Sequence, residues 1–132
     1  MKTSLALLVA GSLVGISGLT GHEEEPKEDL KALMKKKLES SQKVLESLAI
    51  NDFDTVGNHA RELIRISQAA EFRVAKTPQY ELHSKQLRWS AEMLEEMAKA
   101  KNGDGAALAY VELTLTCLKC HRHVRELGQE RK

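Results

Sequence analysis

Two thiols and an imidazole stand close together near one end of the chain, in the run Cys117-Leu118-Lys119-Cys120-His121. The pattern is C-x-x-C-H, the attachment signature of a c-type haem. Each thiol adds across one vinyl group of a single haem, so the two must lie a few ångströms apart on one face. Residues i and i+3 of a helix are such neighbours. His121 follows at i+4 from Cys117 on the same face, where its imidazole can reach the iron.

Other chemistries of C-x-x-C fit less well. A thioredoxin-like pair expects strands around it, and no strand pattern is present. A closed zinc site needs four ligands, and these are the chain's only cysteines. A plain disulfide suits an exported protein but leaves His121 unused.

The sequence must then build a scaffold around one haem. Its 132 residues suffice for one domain with its own core. Only 4% are aromatic, so few large flat side chains can fill an interior; a buried haem would supply one. Charge is almost balanced, with 20 Lys+Arg against 19 Asp+Glu, and no nucleic-acid partner is expected.

Residues 1–21 read as a signal peptide: Lys2, then an uncharged run over 5–19, then the small Gly21. That run of about 15 residues is short for a membrane span. The alternative is an uncleaved anchor, since no clean A-x-A precedes the cut. The expected mature domain is 22–132, periplasmic and free of the membrane after cleavage. Export suits haem attachment, which bacteria carry out beyond the cytoplasm.

Four helical stretches follow. The first opens near Pro26, with Glu28 and Asp29 in its first turn. It carries an apolar stripe of Leu30, Leu33, Met34, Leu38, Val44, Leu45 and Leu48. Lys35, Lys36 and Lys37 form its solvated face, or a docking patch for an acidic redox partner. Asp52 or Asp54 can cap a second helix over about 55–76. Thr77-Pro78 opens a third, to about residue 101, with Leu82, Leu87, Leu94 and Met97 inward. Asn102-Gly103 ends it, and Asp104 can cap a fourth over about 105–127, with Gly128 beyond. No segment alternates with period two. Similar lengths and short links predict an all-α, antiparallel up-down-up-down four-helix bundle enclosing one covalent haem.

That topology sets His121 roughly 9 Å from the end of the fourth helix and Met34 roughly 10 Å into the first, at one level. Met34 could thus meet the iron opposite His121, giving His/Met coordination, or serve as core filler. His83, roughly 8 Å into the third helix at the same end, is the alternative distal ligand, or a satisfied histidine near the haem edge. The other alternative is an open sixth position. His59 lies toward the far end, as do Met93 and Met97, and His123 is on another face.

Over nearly the whole mature chain these features resemble the class II c-type cytochromes, meaning cytochrome c′ and its low-spin, Met-ligated relatives. The resemblance rests on the leader, four helices, the segment Lys31-Ala32-Leu33-Met34-Lys35 and a haem motif near the C-terminus. Class I cytochromes c carry that motif near the N-terminus, with the Met after it. Members often continue C-H-x-x-aromatic-basic. Here Arg125 matches the basic position beside the proximal imidazole, and Val124 departs from the aromatic one. Lys31 stands where many have Arg near the haem propionates. Five-coordinate cytochromes c′ lack the Met, so Met34 aligns the chain with the six-coordinate branch.

The resemblance implies haem c and iron as cofactors, thioethers to Cys117 and Cys120, and His121 as proximal ligand. It implies electron transfer with periplasmic redox proteins rather than catalysis, and dimers are frequent among its members. The alternative is a five-coordinate, NO- or CO-binding protein with Met34 as pocket wall. Peroxidase chemistry has only His83 as an acid–base group.

Overall fold

The computed structural model describes residues 29–70 and 75–130. These form four helices and no strand: α1 (Leu30–Ala49), α2 (Phe53–Ala70), α3 (Pro78–Lys99) and α4 (Gly103–Glu130). The expected leader and the start near Pro26 lie outside the described residues.

Helix ends follow local chemistry. Asp29, expected inside the first turn, instead caps α1, its side chain accepting from Lys31 N–H at 3.4 Å. Asp52 caps α2 by accepting from Thr55 N–H at 3.1 Å. Thr77 caps α3 by accepting from Tyr80 N–H at 3.1 Å, with Pro78 in the first turn. For α4 the expected cap, Asp104, falls inside the first turn. Asn102 takes the role, accepting from Gly105 N–H at 2.9 Å.

Both tight turns share one construction. Asn51 (φ 57°) and Lys101 (φ 53°) are left-handed, one residue past the caps of α1 and α3. Asp52 N–H then returns to Ser47 C=O, and Asn102 N–H to Met97 C=O, both at 2.9 Å. This is the Schellman closure. Asp52 and Asn102 thus each close one helix by N–H and open the next by side chain.

Three boundaries differ from expectation. Lys76 lies outside any helix. Helix α3 stops at Lys99 because the closure at Lys101 ends it. Helix α4 continues through Gly128, around which no atom lies within 4 Å of an added Cβ, so nothing forces a stop there.

Each helix packs on the next in sequence, and α1 meets α4 over a much thinner contact. The main apolar cluster draws on all four helices, with Val44, Leu63, Leu94 and Leu113 among its buried members. Burying side chains of this size stabilises by roughly 1.5–3 kcal/mol each. A second cluster, Leu33, Ile66 and Ala70 with Leu30 and Met34 against it, involves only α1 and α2. The core is therefore split. Buried polar side chains include Ser40, Ser67, His83, Ser84 and Thr116.

Some stripe residues are not inward. Leu38 and Leu45 on α1 and Leu82 on α3 are exposed. The buried stripe of α1 is Leu33, Ser40, Val44 and Ser47, and Leu38 and Leu45 sit a quarter turn or more to its side.

Candidate functional site

Helix α4 carries the C-x-x-C-H run well inside its length, so its backbone geometry is helical throughout. Cys117 and Cys120 are half-buried and free, with no disulfide between them. Cys117 packs against the edge of the main apolar cluster. Burial pushes both thiols above their usual range, and the Lys37 ammonium opposes that rise. They are protonated thiols at neutral pH. His121 is exposed overall. Partial burial of its ring holds its pKa below the usual value, with the positive charges of Lys37 and Arg125 adding to the effect. Its imidazole is accordingly neutral near pH 7, the form that binds metals.

Lys37 is what sequence reasoning missed. It is half-buried rather than part of a wholly solvated lysine face, and it lies in electrostatic range of Cys117, Cys120 and His121. Burial pulls its ammonium below the usual lysine value; the two thiols counter this and Arg88 reinforces it. The signal was available: Lys37 follows Leu33 by four and precedes Val44 by seven, on the buried stripe. One turn along α1, Ser41 Oγ lies 3.3 Å from the Tyr110 hydroxyl and ties α1 to α4.

Met34 is half-buried and packs on the α1–α2 cluster of Leu33, Ile66 and Ala70. His83 is buried, and both its ring nitrogens are occupied. The Gln79 side-chain amide donates to Nε2 at 3.0 Å. Nδ1 therefore carries the proton and donates to Gln86 Oε1, at 3.3 Å. Its ring meets that of His123 edge-on, centroids 6.3 Å apart. His123 Nε2 in turn lies 2.8 Å from Thr77 Oγ1, the cap of α3, and locks α4 to the start of α3. Arg125 is exposed, one turn beyond His121.

A haem c asks a protein for two unpaired thiols on one helix face, a neutral imidazole one residue on, and apolar walls. The thiols and the imidazole are present, and Cys117 borders the main apolar cluster. A zinc site asks instead for donors converging on one point, and no group of three His, Cys, Asp or Glu side chains does so among the described residues. The residues fit haem c. No described helix is long and apolar enough to cross a membrane. No family model, curated protein or solved structure matches the chain.

Proposed function

We propose that this chain is a monohaem c-type cytochrome of the periplasm that carries single electrons between redox proteins. The observation that carries the reading is the C-x-x-C-H run on α4, with both thiols free and half-buried beside a neutral imidazole. Haem c held there would supply one-electron chemistry at its iron. Cys117 and Cys120 would anchor it covalently, and His121 would be the proximal iron ligand. Met34 would be the distal ligand from α1, a pairing that raises the reduction potential. Arg125 would flank the proximal imidazole.

The bundle is up-down-up-down and antiparallel on this reading. Contacts between neighbouring helices support it, since residue numbers rise along one helix as they fall along the next. Ser67 meets Ser84 and Arg61 meets Glu95; Met97 packs over Gly105, and Thr77 meets His123. His83 is the less favoured distal ligand, because coordination would break a hydrogen bond at one of its nitrogens. The packing of Met34 on the α1–α2 cluster favours a second reading, a five-coordinate iron binding NO or CO with Met34 as pocket wall.

Absorption spectra of the ferric and ferrous protein, made with a haem-maturation system, test the proposal. Haem surviving acid–organic extraction is expected; its loss overturns covalent attachment. A low-spin spectrum with a far-red sulfur-to-iron band, lost in Met34→Ala, supports His/Met ligation. A low-spin spectrum unchanged by Met34→Ala moves the ligand to His83. A high-spin spectrum that shifts with NO or CO overturns electron transfer.

A further inference from the structure

The outer face of α4 differs from those of the other helices. Between Asp104 and Lys119 only Glu112 is charged, whereas α1, α2 and α3 carry lysine, arginine and glutamate along their solvent sides. Opposite the core-facing Ala106, Ala109, Leu113 and Thr116 runs an exposed apolar stripe. It consists of Leu108 (73% exposed), Val111 (54%), Leu115 (45%) and Leu118 (57%). The spacing is three, four, three, which is the seam of a helix that packs on another helix. The same spacing extends the seam by one charged residue each way, to Asp104 and Arg122, both exposed.

We propose that α4 pairs with α4 of a second copy of this chain, antiparallel, about a twofold axis at the level of Leu113. The register carries the argument. In that arrangement Leu108 lies opposite the partner's Leu118, and Val111 opposite the partner's Leu115. Asp104 lies opposite the partner's Arg122, and symmetry repeats each pair. Every apolar side chain meets an apolar one and each acid meets a base. A parallel pairing would set Asp104 against its own copy and Arg122 against its own copy, like against like.

The flanks agree. Ser41 faces Tyr110, so three residues back along α1 and three on along α4 bring Leu38 to the level of Leu113. Met97 packs over Gly105, so eight residues each way bring Trp89 there too. Leu38, Leu45 and Trp89 are all exposed. The stripe presents on the order of 400 Å² and these flanks about 350 Å² more, close to the ~800 Å² per partner of a stable interface. The proposal does not depend on the haem reading, since none of these residues is a thiol or an expected iron ligand.

Sedimentation velocity on the purified protein at rising micromolar concentrations tests it. A monomer–dimer equilibrium is expected, and emission of Trp89, the chain's one tryptophan, should shift along the same curve. Leu115→Glu should yield a monomer with unchanged far-ultraviolet circular dichroism. Asp104→Arg and Arg122→Asp should each weaken the dimer by about tenfold, and the double variant should restore it. A chain that stays monomeric throughout overturns the proposal, as does a dimer indifferent to Leu115→Glu. Failure of the double swap to restore what the single ones remove overturns the antiparallel register.

Discussion

Replacing Lys37 with glutamine removes a positive charge from beside Cys117, Cys120 and His121 while keeping much of the side chain's length. On the electron-transfer reading, that charge disfavours the oxidised iron, which carries one more positive charge than the reduced form. Coulomb's law gives roughly 0.8–1.7 kcal/mol for a unit charge at a separation of roughly 10 Å and an effective dielectric of 20–40. With 59 mV per tenfold change for one electron, this is about 35–70 mV. Lys37→Gln should therefore lower the midpoint potential by that amount in a spectroelectrochemical titration. Lys35→Gln is the control. Lys35 is 77% exposed and lies 3.7 Å from Glu39, so solvent screens it and its loss should move the potential little. A rise in the Lys37→Gln potential, or equal shifts in the two variants, would refute the assignment of Lys37 to the site.

Three further outcomes test the scaffold. Lys101 holds φ 53°, a conformation that costs a side-chain-bearing residue about 1 kcal/mol, so Lys101→Gly should raise the melting temperature by about 4 °C; a fall would contradict the closure described for α3. The Glu95 carboxylate accepts from Arg61 at 2.8 Å and Lys99 at 2.7 Å, and these hydrogen bonds hold its pKa below the ordinary 4.5. Its stabilising effect is thus complete above pH 4.5 and lost as pH falls through the lower folded value. Urea titrations should show Glu95→Gln less stable than the parent at pH 7, with the gap closing as pH falls below 4.5; a constant gap would exclude the ion pair as its source. Ser84→Ala should cost about 1–2 kcal/mol, because it strips the buried Ser67 hydroxyl of its partner at 3.3 Å, and adding Ser67→Ala should recover part of that loss. Additive losses in that cycle would show the two hydroxyls to be uncoupled.

Much of the scaffold was legible because its signals are local. Asp52 and Thr77-Pro78 announce helix starts through groups within three residues of themselves, and the structure uses them as such. The choice of Asn102 over Asp104 turned on where the Schellman closure of α3 ended, which depends on backbone angles that residue type only biases. Periodicity finds an apolar stripe that includes Leu38 and Leu45 but cannot tell which of two adjoining stripes faces the core. Serine at positions 40 and 47 of α1 is buried where leucine at 38 and 45 is not, since packing against α2 sets the rotation of α1. Lys37 was assigned to solvent by its type, although its position put it on the buried side. Its neighbourhood depends on α4, eighty residues away, and no local signal carries that. The C-x-x-C-H run needed no tertiary context to be read, whereas the state of its thiols and the cation beside them did.

The double use of Asp52 and Asn102 bears on segment exchange between chains. A helix can be swapped into a second copy only if the turn before it straightens into a hinge. Straightening at Asn51 or Lys101 would undo, at one residue, both the closure of the preceding helix and the cap of the following one. The α1–α2 and α3–α4 helix pairs therefore resist being drawn apart. Before α3, residues 75–77 lie outside any helix. Any exchange between copies would accordingly trade whole helix pairs. It would always deliver the two cysteines and His121 together with His83 of α3 and Thr77, the cap of α3, which brace the same end of the molecule.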